Sequence, residues 1–380
     1  MINHLRPAAF LLLFNVLAYA LSPQFIACQV QKPANMSPLL GCPAGTIFVS
    51  QNTSDTRAKF HSIQEAVLSL PDMGRFTILV AEGEYHETVN VTRKGPLTLL
   101  VRIRFSSSFE TPNLVRVWNN QFVQTGMDDA QSAVLLVSPN FNGSLIGAGP
   151  TGAPLQPDFG CSDFKAYNID FENRAANFSI SQALVTDISY ANASFYGCNF
   201  KSYQGTWYTG RNGSTYVVDS VIFGQTDCND DSTNFTYYNS WFQNAILANR
   251  ACRGGTSPDA NATTITDGLC FLGRPWNDLA TTVFLRTFID NNIRPARWTP
   301  FNSASDIHSL QLICIQIYIL ERPVIFNTTF YAEFDSTGPG GNTSARIPLE
   351  HILTAEEAKN FTIDKVFLEH PKWIDFGYLI

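Results

Sequence analysis

Three segments in the middle of the chain read SFYGCNF (194–200), TYVVDSVIF (215–223) and YYNSWFQNAIL (237–247). Each is rich in β-branched and aromatic residues and is bounded by Gly, Asn, Asp or Ser, the pattern of strands separated by turns. They line up at a constant step of 21, with Phe195 over Tyr216 and Tyr237, and Cys198 over Asp219 and Ser240. A strand-and-turn repeat of about 20–25 residues predicts a β-solenoid whose coils stack on one another. A sandwich of hairpins predicts no constant step. The expected class is all-β.

Outward from this repeat, HSIQEAVLSLP (61–71) carries Ile63, Ala66, Val67 and Leu70 at helical spacing. It predicts a short N-terminal helix capping the open end of the solenoid, whose uncovered edge would invite aggregation. LTAEEAKNFTI (353–363) predicts a second short helix, with Thr354 as N-cap and an acidic first turn. No Pro/Gly/Ser linker interrupts the chain, so residues 45–380 read as one domain, preceded by a segment over 21–44. Residues 306–321, DIHSLQLICIQIYILE, are an apolar run of strand type with almost no turn residues.

The first 20 residues read as a secretory signal peptide: Arg6, an apolar stretch from Ala8 to Leu17, then the small-x-small site Ala18-Tyr19-Ala20. This predicts a secreted, extracellular protein with no membrane span. Sequons at Asn35, Asn52, Asn90, Asn142, Asn177, Asn192, Asn212, Asn234, Asn261, Asn327, Asn342 and Asn360 agree with a glycosylated surface. The 8 cysteines are expected to pair in part, with connectivity open. The formal charge is −7, and no Lys/Arg run is long enough to follow a phosphate backbone, so nucleic acid is not an expected partner. No C-x-x-C is present and the His residues lack ligand spacing, so no metal is expected.

Residues one coil apart in a solenoid lie about 4.8 Å from each other. Gln182, Gln204, Asp227 and Arg274 recur at steps near one or two coils, which predicts a column of amide, amide, carboxylate and guanidinium. An amide donates to a developing oxyanion, a carboxylate attacks an ester carbonyl, and an adjacent Arg keeps that carboxylate ionised. Trp207, Tyr208 and Trp276 are candidate flat faces for sugar rings. Taken singly, an Asp in a turn is usually solvated and a Gln usually caps a strand.

Longer motifs add to this. GEYHE (83–87), SQALVTD (181–187), YQGTWY (203–208), IFGQTD (222–227), LGRPW (272–276) and FYAEFDSTGPGG (330–341), followed by LTAEEAKNFT and PKWI, occur in order. In these the sequence resembles the pectin methylesterases, most closely those of fungi, over roughly residues 45–375. LGRPW is the most specific of them and GEYHE alone the least. The resemblance implies a right-handed parallel β-helix and no cofactor. It implies Asp227 as the nucleophile on the methyl ester of a galacturonate, Gln182 and Gln204 as oxyanion donors, Arg274 holding Asp227, and Trp276 against the polysaccharide. The implied partner is pectin, methyl-esterified homogalacturonan, and nothing in the sequence indicates an oligomer.

Three departures stand out. Where the family has Gln-Asp-Thr, this chain has Gln204-Gly205-Thr206, so the Asp that serves the family as general acid is lost. After Asp227 the chain runs Cys228-Asn229-Asp230-Asp231-Ser232 instead of an apolar stretch, which puts acids next to the nucleophile and makes Asp230 and Asp231 candidate replacements for the lost one. Residues 306–321 have no counterpart in the family pattern and, with 228–239, read as foreign to it. A non-catalytic β-helix that binds homogalacturonan is therefore the alternative to an esterase. A pectin hydrolase or a lyase would need paired or calcium-binding carboxylates, which LGRPW argues against.

Overall fold

The computed structural model describes residues 25–33, 35–102, 113–147, 156, 158–178, 180–224, 229–230, 239–243, 245–249, 268, 271–272, 281–291, 293–298 and 330–379. Numbered in chain order, the strands form three long parallel sheets. The first contains β1 (Ile47–Val49), β2 (Phe76–Val80), β5 (Leu97–Val101), β8 (Phe164–Tyr167), β11 (Asn192–Tyr196), β14 (Ser214–Val218) and β17 (Asn239–Gln243). The second contains β3 (Gly83–His86), β6 (Val115–Asn119), β9 (Ile169–Asn173), β12 (Asn199–Lys201), β15 (Val221–Gly224) and β18 (Ile246–Asn249). The third contains β4 (Val89–Val91), β7 (Leu135–Val137), β10 (Thr186–Ser189), β13 (Trp207–Gly210) and β16 (Asn229–Asp230). One coil takes one strand from each sheet, as β11, β12 and β13 do, so the solenoid expected from the repeat is a parallel β-helix.

The register differs from the expected constant step. Phe195 pairs with Val217, not Tyr216, and Thr215 pairs with Ser240, so successive steps are 22 and then 25. The reason is side-chain direction. Phe195 and Val217 both point into the solenoid core, whereas Tyr216 points out, and a shift of one residue would turn every side chain to the wrong face. Each predicted segment also divides in two. The chain turns between first and second sheet at Asn168, Gly197 and Asp219, all at left-handed φ of 59°, 62° and 48°. Asn, Gly and Asp tolerate that conformation best.

The core between the sheets is a stack of Val, Leu, Ile and Phe side chains, each worth about 1.5–3 kcal/mol when fully buried. Phe171 stacks on Phe200 of the next coil at 5.7 Å. Helix α1 (Ile63–Leu68) closes the N-terminal end with Ile63, Ala66 and Val67, as expected. Glu87, on the chain just after β3, holds that helix start: its carboxylate accepts from Ser62 Oγ at 2.5 Å, Ile63 N at 2.9 Å and Gln64 N at 2.8 Å. A carboxylate there also complements the helix dipole.

The outer face of the first sheet is covered by both ends of the described chain. Phe25 and Cys28 from one end, and Phe367, Trp373, Ile374 and Tyr378 from the other, pack on Tyr167, Tyr196 and Tyr216. Cys28 and Cys42 form a disulfide. Cys161 and Cys198 are free thiols inside the core. A separate three-stranded sheet, β19 (Thr281–Leu285), β20 (Phe330–Phe334) and β21 (Glu350–Ile352), is followed by the predicted second helix, α2 (Ala355–Ala358), with Thr354 and Glu357 in a capping box. Among the described residues no helix is long and apolar enough to cross a membrane. The signal sequence over 1–20 and the run over 306–321 lie outside the described residues, as does the segment over 228–239 apart from Asn229, Asp230 and Asn239.

Candidate functional site

The site expected from the sequence begins where the chain enters the third sheet. Gln182 leads into β10 and Gln204 into β13, on successive coils. Ala183 N donates to Gln204 O at 3.0 Å, and Val123 N donates to Gln182 O at 2.8 Å. Asn173, at the end of β9, ties this corner together, its Nδ2 donating to Gln121 O, Ser132 O and Leu184 O at 2.8, 2.9 and 3.0 Å. On the other side, Ser202 Oγ donates to Ala183 O at 2.5 Å and Thr206 Oγ1 to Phe223 O at 2.8 Å. The two glutamines therefore stand side by side on a hydrogen-bonded frame. Gln204 is buried.

Gly205 lies in the same frame at a φ of +68°. A Cβ built on it would collide with Gln182 Oε1 and press on Leu184 Cδ1 at 3.2 Å. Gln182 Oε1 is itself buried and has no hydrogen-bond partner among the described residues.

Two expected sugar platforms are corrected. Trp207 is 0% exposed and points into the solenoid core. Its ring meets Phe200 at 4.8 Å and Phe195 at 5.3 Å edge to face, and its Nε1 donates to Thr209 Oγ1 at 2.8 Å. Tyr208 points the other way, but Leu136, Leu184, Ala133 and Ile146 cover it and leave 1% exposed. Strand alternation explains both: neighbouring residues face opposite sides, and here each side is already packed. Arg211, a cation near this corner, is also buried, and its Nη2 donates to Ile146 O at 3.2 Å.

A residue not singled out from the sequence shares the outer face. Asp187 of β10 pairs with Tyr208 of β13 and with Leu136 of β7. It is fully buried. Ser189 Oγ donates to its Oδ1 at 2.7 Å, and its Oδ2 has no hydrogen-bond partner among the described residues. Burial pushes its carboxyl well above the ordinary range. The sequence signal was an acid inside VTDIS, a strand otherwise built to be buried.

Asp227, Arg274 and Trp276 lie outside the described residues. The strand that follows Asp227 is described: Asn229 pairs with Trp207 and Asp230 with Tyr208. Asp230 is thus paired with Tyr208, three residues after Gly205 in the sequence of the preceding coil.

Comparison with known proteins gives the same answer from three directions. A family model described as Pectinesterase matches residues 238–314. Two curated relatives from Arabidopsis thaliana are a probable pectinesterase/pectinesterase inhibitor 41, 27% identical over 358 residues, and pectinesterase/pectinesterase inhibitor 18, 25% identical over 358 residues. Those matches cover 85% and 86% of this chain and 52% and 55% of the relatives. Among solved structures, the pectin methylesterase of Aspergillus niger matches with a TM-score of 0.60 at 23% identity, covering 88% of this chain and 98% of that one.

The chain is similar to members of the pectinesterase family. The carrot pectin methylesterase matches with a TM-score of 0.56 at 20% identity, over 85% of this chain and 92% of that one. The coils described above are those of the right-handed parallel β-helix that pectin methylesterases share. The chain spans about half the length of the curated pectinesterase relatives it matches.

Proposed function

We propose that the protein is a secreted pectinesterase that acts on methyl-esterified homogalacturonan without a cofactor, releasing methanol slowly because its site lacks a general acid. The observation that supports this reading is the position of Gln182 and Gln204 on adjacent coils at the entrance to the third sheet, where Ala183 N, next to Gln182, donates to Gln204 O.

In this reading the Asp227 carboxylate attacks the carbonyl carbon of the ester. The carbonyl π electrons move to oxygen, and the amides of Gln182 and Gln204 donate to the oxyanion that forms. Collapse of the tetrahedral species expels the methoxy group and leaves an acyl–Asp227 anhydride, which water then opens. Arg274 keeps Asp227 ionised between turnovers, and Trp276 lies against the sugar chain. Methoxide is a poor leaving group and needs a proton as it departs, and the attacking water must later lose one. Gly205 supplies neither transfer. A placed acid–base group is typically worth about 10²–10⁴ in rate. With a formal charge of −7 and Arg211 buried, the preferred pectin is highly methylated and nearly neutral.

The test is methanol release from highly methylated pectin by the secreted protein beside Asp227→Asn. Slow release that the substitution abolishes supports the esterase. A second reading, that the protein grips homogalacturonan without turning it over, is favoured by Gly205. It predicts pectin binding with no methanol from either protein.

A further inference from the structure

We propose that Gln182 plugs its own site. Its carboxamide occupies the volume that a side chain at position 205 would fill, and a ligand enters by displacing it. This rests on the reading of residues 182, 204 and 205 as the site, and goes further by assigning the resting state of that site to one side chain.

Three observations carry it. The Cβ position of Gly205 coincides with the end of the Gln182 side chain, with Oε1 in collision and Cδ at 3.4 Å. The backbone on either side is pinned, by Val123 N on Gln182 O and by Ala183 N on Gln204 O, so the overlap is not relieved by sliding the strands. The Gln182 Oε1 is buried without a donor among the described residues. A buried acceptor left unpaired is unfavourable, and a ligand that brings a hydroxyl donor removes the penalty. Among the described residues nothing bonds the Gln182 Oε1, which sits in the space that Gly205 leaves, and rotation of the side chain alone takes it out.

The plug also separates two consequences of glycine at 205. One is the missing acid. The other is that the neighbouring amide has turned into the gap. Asn at 205 isolates the second, because it matches Asp in shape, tolerates a left-handed φ, and supplies no acid. It must push out the far end of Gln182 and displace Leu184 Cδ1 by tenths of an ångström.

The experiment is a double-mutant cycle read first by thermal unfolding without pectin. The proteins are the wild type, Gly205→Asn, Gln182→Ala and the double variant, with Gln182→Asn as a milder shortening. The expected result is strong non-additivity: Gly205→Asn lowers the Tm of the wild type, lowers it less in the Gln182→Asn background, and lowers it least in the Gln182→Ala background. Equal shifts in all three backgrounds would overturn the plug.

The second readout is binding of highly methylated pectin. A displaced plug acts as a conformational tax on affinity, so Gln182→Asn tightens Kd by about threefold or more. An unchanged or weaker Kd beside a non-additive Tm cycle would overturn the role in ligand entry. The Tm cycle uses no pectin, so it stands or falls apart from the choice of substrate.

Discussion

Arg297 Nη2 lies 2.6 Å from Glu333 Oε2, and neither side chain is more than 1% exposed. Arg346 Nε reaches the other oxygen of Glu333 at 2.5 Å, and Glu350 lies 3.8 Å from the same nitrogen. The group is a buried set of two cations and two acids beside the three-stranded sheet. Glu333, bonded to Arg346 and facing Arg297, is held below the ordinary range. Glu350 is pushed up to about 7, by burial first and by the Glu333 charge second. Burial draws Arg297 down to about 10.

This predicts a loss of stability as the pH rises from acid to neutral. Between the unfolded value of 4.5 and the folded value of about 7, the native Glu350 binds a proton that the unfolded chain does not. Stability therefore falls as pH rises through that window, and the loss is complete above it. Thermal unfolding at pH 5 and pH 8 is expected to show a lower Tm at pH 8, with the difference reduced in Glu350→Gln. Glu333→Gln strands both arginines and is expected to cost about 3–5 kcal/mol, as for other broken buried pairs.

Gly205→Asp is expected to raise methanol release about 10²–10⁴-fold, the usual worth of a placed acid–base group. Gly205→Asn supplies the shape without the proton and is expected to give no such rise. Equal activity in the two variants would remove the lost acid as the explanation for a slow enzyme.

Trp207→Ala is expected to act on stability. The ring is fully enclosed by Phe195, Phe200 and Phe242, so its truncation opens a cavity worth about 3–5 kcal/mol. Below the lowered Tm, pectin affinity should match the wild type. Trp276→Ala should do the opposite, weakening binding at little cost in Tm.

Glu87→Gln removes the charge that three donors at the start of α1 share. Hydrogen bonds to a charged group are worth about 1.5–3 kcal/mol. The expected result is a lower Tm, together with faster amide exchange at Ile63 and Gln64.

Cys161 and Cys198 are expected to resist alkylation in the native protein at pH 8. Burial raises their thiols to about 11 and about 12, and the thiolate is the reactive form. Peptide mapping after brief iodoacetamide treatment should find both unmodified, and both labelled once the protein is unfolded.

Much of the architecture was legible along the chain because a solenoid is built from near-neighbour coils. Strand runs, turn residues and the amphipathic 61–71 segment are local signals: the three repeat segments became strands, each divided by a turn, and 63–68 became the helix. The expected step of 21 failed at the level of one residue. Tyr216 and Val217 are alike in a composition reading, and only packing tells which of them faces Phe195. The aromatic platforms failed for a related reason. Trp207 and Tyr208 look like sugar-binding residues in sequence, yet alternation sends one into the core and the other beneath Ile146.

The repeat and the order of motifs by themselves pointed to a parallel β-helix resembling the pectinesterases, and the sequence alone shows that position 205 carries no acid. Both are statements about which residues are present, and residue identity needs no coordinates. Only the tertiary structure decided what fills the gap at 205. Gln182 is 23 residues away in sequence, and a void on one coil is closed by whichever side chain the neighbouring coil can turn into it.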